Sequence, residues 1–273
     1  MTFDPRAKRL ASSGRLACAA LFGVTLLAAG QSQRAHKPAV APSKSHTPAA
    51  PVEATVPFRG GEKLSFRVMW SKFSVNAGTV DFLVAQHSNF FGQPAWHFQA
   101  RAQTVDTMRI VYPLDDQFDS YTEAVKLASI QYEMYLHEQG KQENDAWRMT
   151  VNGDPAPANA TAARVLPGTR DPVGFLYALR ATDWKTTPEL RAPVFDGHHL
   201  YDVDAKLGLA TGHVTVPAGE FEASRVDVRL SEHGQEVSDT SFSLWIAQDA
   251  TRTPVLIEAN VPLGTARVEL TGH

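Results

Sequence analysis

The sequence predicts a mainly β protein: one strongly curved antiparallel sheet or a partly open β-barrel, with two short helices. Three observations point there. From Gly61 onward apolar side chains recur with a period of two, as in strands with one buried face. Gly- and Pro-containing turns separate several of these runs at hairpin distances, which implies antiparallel neighbours. Only two segments adopt a helical period, too few for an alternating α/β fold.

The first strand is read in Glu62–Trp70, where Leu64, Phe66, Val68 and Trp70 share a face opposite Ser65 and Arg67. The same pattern marks 78–86, 95–103, 129–137, 142–151, 200–207, 213–216, 221–230, 237–246, 255–261 and 266–270. Reversals are expected at Phe90–Pro94 and Asn152-Gly153, with Gly140 and Gly264 as hairpin residues. The apolar positions change parity between Phe221/Ala223 and Val226/Val228/Leu230, which predicts a β-bulge near Ser224-Arg225.

Asp171-Pro172 supplies an N-cap and a first-turn proline, and Val173, Leu176, Tyr177 and Leu179 continue with helical spacing to about Trp184. The second helix is read in Thr104–Tyr112, from Val105, Met108, Ile110 and Val111, and is halted by Pro113. Residues 153–170, rich in small side chains, read as a long loop.

Ahead of this β-rich domain (58–273) stand two segments of other character. Arg6, Lys8, Arg9 and Arg15 precede the apolar run Leu16–Ala29 and the small-residue exit Ala28-Ala29-Gly30, so residues 1–30 read as an export signal. Left uncleaved, the run would serve as a tether. The Ala/Pro-rich stretch 31–57 reads as a disordered linker. The single cysteine, Cys18, lies near the start of the apolar run, so the exported part would lack a thiol. That removes thiol nucleophiles, disulfides and Cys-based zinc sites from consideration. Localisation in the periplasm or cell envelope follows from the export reading.

The 273 residues carry 26 Lys+Arg against 29 Asp+Glu, a formal charge of -3 that offers no general attraction to nucleic acid. Neither G-x-S-x-G nor a Gly-rich phosphate loop occurs, which weighs against serine-hydrolase and nucleotide readings, and no cofactor is expected. Among ten histidines there is no HxH or HExxH, and His198-His199 on a strand would point to opposite faces, so no metal is expected either. Asp115-Asp116 and Asp249 invite a carboxylate mechanism, but after Pro113, and three residues before Arg252, acids of this kind more often close turns. No catalytic residue is assigned.

Aromatic side chains carry the stronger signal. Trp70, Phe82, Phe98, Tyr132, Phe242 and Trp245 fall in strand segments, and several strands place large side chains on both faces. The plainer explanation is that one set is core and the other packs beneath the helices and the linker. The alternative is an apolar concavity lined by these six, with Arg109, Arg180 or Arg252 orienting an anionic head group at its rim.

Laid end to end, the pieces Gly61–Trp70, Ala77-Gly78, Tyr112–Phe118, Asp171–Arg180, Phe195-Asp196-Gly197 with Tyr201, and Trp245–Pro254 form an ordered set. It resembles the bacterial exported family called domain of unknown function 3108, from Gly61 to Leu270. The resemblance implies an exported β-rich domain without assigned activity. By analogy of fold alone, the architecture is similar to envelope lipoprotein carriers in which a half-barrel holds acyl chains under a helical lid.

The expected function is therefore that of an exported envelope protein, with the balance toward a noncatalytic one. It would bind a lipid or other amphiphile in the concavity of the sheet, with Asp171–Trp184 over one opening. Two alternatives stay open: a scaffold for envelope assembly with protein partners, and a cell-wall polymer hydrolase using Asp115, Asp116 and Asp249.

Overall fold

The period-two runs become strands of one open sheet. The computed structural model describes residues 52–70, 75–238, 240–261 and 264–273. The expected export segment, with its basic residues and Cys18, and the expected linker as far as residue 51 lie outside the described residues. The N-terminal half of the domain is β1 (Lys63–Trp70), β2 (Val75–Phe90), β3 (Gln93–Thr104), α1 (Asp106–Val111), β4 (Asp115–Glu123), β5 (Ser129–Glu138), β6 (Lys141–Thr150) and β7 (Thr161–Arg164). After α2 (Pro172–Ala181) follow β8 (Glu189–Phe195), β9 (Leu200–Val216), β10 (Gly219–Glu232), β11 (Gln235–Glu236), β12 (Ser241–Ala247), β13 (Pro254–Val261) and β14 (Gly264–Gly272).

The order across the sheet is β7-β6-β5-β4-β3-β2-β1-β14-β13-β12-β10-β9-β8, with β11 attached to β10. Two meanders are thus joined where the first strand pairs the last, Phe66 against Leu270 and Trp70 against Ala266. All pairings along this path are antiparallel except β6 with β7. The start of β5 and the edge strand β8 are linked through the segment before α2. The N–H of Ser129 donates to Thr169 O at 2.9 Å, that of Arg170 to Pro193 O at 3.0 Å, and that of Phe195 to Arg170 O at 2.8 Å. This strap ties β5 to β8 without a closing ladder.

One face of the sheet is apolar and buried, formed by residues such as Leu64, Phe66, Val80, Phe98, Val226 and Leu270. The other carries cross-strand charges: Arg67 Nε donates to Glu269 at 2.8 Å, and Arg267 Nη1 to Glu258 at 2.7 Å. Such a ladder is the pattern of a water-facing surface. Among the described residues no helix is long and apolar enough to cross a membrane.

The expected bulge is present as a register shift between Ser224 and Val226. The bounds of α2 fall three residues short of Trp184, whose indole N–H donates to Leu179 O at 3.0 Å as the chain turns away. Several strands depart from the expectation, among them β8, which no expected run covers. β9 runs unbroken through Gly208–Gly212, and β7 occupies part of the expected loop 153–170. β4 was hidden because its inward positions are Asp116, Phe118, Ser120 and Thr122, only one of them apolar. The end of the expected linker is also part of the fold: Ala54 N–H donates to Ala124 O at 2.8 Å, and Phe58 is buried in the core.

Candidate functional site

α2 lies against the apolar face of the sheet and is buried along nearly its whole length, from Val173 to Arg180 apart from Leu176. Its start is fixed by polar groups from β4, the beginning of β5 and its own first turn. The Asp171 carboxylate accepts from Ser120 Oγ at 2.5 Å, Ser129 Oγ at 2.6 Å and the Gly174 N–H at 2.8 Å. Burial pushes this carboxyl up, while the same hydrogen bonds draw it down. Gly174 is required because a Cβ there would stand 2.8 Å from Ser129 Oγ and 2.9 Å from Thr122 Oγ1.

On the side of the N-terminal meander, the space under α2 is filled. Tyr177 stacks on Phe98 with centroids 3.9 Å apart, and Phe58 meets Trp96, Phe98 and Tyr177 edge-on at 5.1 to 5.4 Å. Toward the C-terminal meander the contact opens into a cavity of ≈ 130 Å³. Phe175, Leu176 and Leu179 of α2 face Val203, Val228, Leu244 and Ile257 of the sheet, with Phe82 from β2. Leu230, Val237 and Phe242, half-buried, stand on its open side.

Three polar residues join this lining: Asp196, Tyr201 and Thr240. Asp196 directly follows β8, Tyr201 is the second residue of β9, and Thr240 directly precedes β12. Because β8, β9, β10 and β12 alternate in direction, these positions share one end of the strands. Asp196 Oδ1 accepts the backbone N–H groups of His198 at 2.8 Å and His199 at 2.7 Å, closing the β8–β9 turn. Gly197, at φ 104°, is pressed against Trp147, so a side chain would not fit there.

Of the residues singled out from sequence, Phe82 and Phe242 meet in this cavity. Phe98 belongs to the aromatic stack, and Tyr132 is fully buried between Phe118 and Trp147. Trp70 is buried at the end of β1. Trp245 alternates with the inward Leu244 and Ile246 and so takes the opposite face of β12.

The arginines expected at the rim are engaged elsewhere. Arg109 pairs with Asp115 at 2.6 Å, Arg180 with Glu62, and Arg252 Nη1 donates to Ala181 O at 2.7 Å. None of them lines the cavity, so the expectation of an anionic head group held by arginine is not met. Sequence reading misses α2's Phe175, Leu176 and Leu179, because it places the helix over one opening and not in the cavity wall. It also misses the polar end; Phe195-Asp196-Gly197 with Tyr201 is the signal that lies there.

The three acids weighed for catalysis are separate. Asp249 accepts from Thr251 N–H and Oγ1 at 2.9 and 2.6 Å in the β12–β13 turn, and Asp115 is paired with Arg109. Asp116, on the inner face of β4, takes the His137 N–H at 2.9 Å. The arrangement offers an apolar chamber with a polar end.

The sequence profile of the family described as "Protein of unknown function (DUF3108)" matches residues 65–271. The chain belongs to this family. Among curated proteins, none matches it. Solved structures with a similar outline include a β-barrel-like protein of domain of unknown function DUF1849 from Brucella abortus, 9% identical, covering 76% of this chain and 94% of that one, with a TM-score of 0.48. A hypothetical protein, CT021, from Chlamydia trachomatis is 8% identical over 78% of this chain and 85% of its own, with a TM-score of 0.36.

Proposed function

We propose that this DUF3108 protein is an exported, noncatalytic envelope protein that holds a hydrophobic or amphiphilic molecule in the cavity between α2 and strands β8–β13. The observation that carries the reading is the apolar chamber itself, open on one side and walled by Phe175, Leu179, Val228 and Leu244. Transfer of an alkyl chain from water into such a chamber gains roughly 25 cal/mol per Å² of apolar surface removed from solvent. Export rests on the basic flank and apolar run of residues 6–29. Family membership adds no activity that would favour another reading.

The test is lipid extraction and native mass spectrometry of the full-length protein purified from cells, beside a Val228→Trp variant. Val228 lines the cavity, and an indole there fills it. The expected result is a co-purifying amphiphile in the unaltered protein that is lost from the variant, with the far-ultraviolet circular dichroism unchanged. Equal occupancy of both proteins would overturn the assignment of this cavity as the site.

A further inference from the structure

Resting on the cavity reading above, we infer that the bound amphiphile presents a cationic, hydrogen-bond-donating head group, an ammonium in chemical class, to Asp196. The lining contains one charged side chain, Asp196, and no Lys, Arg or His. Its side chain is 3% exposed. Oδ1 is held by two backbone N–H groups, so the carboxylate is fixed in place by the β8–β9 turn. Oδ2 lies 3.7 Å from Nδ1 of His199.

Tyr201 and Thr240 bring oxygen atoms to the same end of the strands as Asp196. Burial and the nearby negative charges of Asp196 and Glu232 hold the Tyr201 phenol well above its ordinary range, so it stays protonated at neutral pH. The lining is thus divided lengthwise, alkyl and aromatic carbon over most of its wall and oxygen at one end. A ligand with the same division, its head carrying N–H donors and positive charge, satisfies both parts. A carboxylate or phosphate head would bring like charge to Asp196 in a site poorly screened by water.

The test compares decylamine, decanol and decanoate, below their aggregation thresholds, by isothermal titration calorimetry on the full-length protein at pH 8. At that pH an alkylammonium keeps its positive charge and an alkanoate its negative one. Decylamine is expected to bind about tenfold or more tightly than decanoate, with decanol between them. In Asp196→Asn, whose amide oxygen still accepts the turn N–H groups, the amine-to-carboxylate ratio is expected to fall toward one while decanol binding is kept.

Decanol binding with decanoate equal to or tighter than decylamine would overturn the head-group assignment and leave the cavity reading standing. Absence of binding by all three probes would overturn both. A ratio unchanged in Asp196→Asn, or amine binding that persists in Val228→Trp, would place the preference outside this cavity and likewise overturn it. If Asp196→Asn does not fold, the order of the three probes on the unaltered protein decides alone.

Discussion

The guanidinium of Arg180, 1% exposed, grips both carboxylate oxygens of Glu62 across 118 residues of sequence, and its Nε donates to Thr251 O at 3.0 Å. One side chain on α2 thereby fastens the entry to β1 and the β12–β13 turn. Arg180→Leu is expected to cost about 3 to 5 kcal/mol, because Glu62 and the Thr251 carbonyl lose their partner in a poorly hydrated place. The double variant Arg180→Leu/Glu62→Leu should recover part of that loss in urea unfolding. A single-variant cost below about 1 kcal/mol would show that the pair is not structural.

Asp116 makes stability depend on pH. Burial pushes its carboxyl from 3.8 up to about 7, with Glu138 and Asp115 adding negative charge nearby and the His137 N–H acting in the opposite direction. Oδ2 has no partner among the described residues. Between those two pH values the unfolded chain has released this proton and the folded chain retains it. Stability therefore falls as pH rises from about 4 to 7 and stays reduced above. Asp116→Asn should match the unaltered protein below pH 4 and exceed it at pH 8, with about 4 kcal/mol as the ceiling. Denaturant melts at the two pH values check this; a gap that does not widen with pH refutes it.

Gly174→Ala is expected to destabilise, although alanine is ordinarily the better helix former. The added methyl would meet the hydroxyls of Ser129, Thr122 and Ser120 at 2.8, 2.9 and 3.2 Å. Those hydroxyls hold the Asp171 cap, so they have little freedom to retreat. A loss of about 1 to 3 kcal/mol in thermal unfolding is expected; a rise in melting temperature would mean that the cluster yields easily.

Phe58→Ala tests whether the segment ahead of β1 is part of the core. Its ring touches three aromatic residues and lies 5.7 Å from the Arg180 guanidinium. A cost of about 3 to 5 kcal/mol is expected in urea unfolding. Removal of all residues before Arg59 should produce a comparable loss, whereas an unchanged midpoint would return this segment to the linker.

The fold was legible where alternation was clean. In β1 the apolar face reads directly as Leu64, Phe66, Val68 and Trp70, and the parity change around Ser224 located the bulge. β4 was concealed for a physical reason: Ser120 and Thr122 face inward because they serve the Asp171 cap, a contact made 51 residues away in the case of Ser120. β8 carries Pro193, which is tolerated at a sheet edge and weakens a strand signal. Of the candidate site, Phe82 and Phe242 could be found from strand parity, and the α2 wall could not, since a helix period does not say which face meets a void. The arginines misled because a cation near a strand end looks the same in sequence whether it faces a ligand or a carboxylate such as Glu62.

The pairing of β1 with β14 has a consequence for how the chain matures. Every other neighbouring pair within each meander can zip locally, but β1 must wait for nearly 200 residues of polypeptide before its second neighbour exists. During that interval an apolar strand edge is bare, an invitation to aggregation. A chain that ends before Gly264 would never seal this seam, so C-terminal truncation is expected to yield insoluble material rather than a smaller working domain.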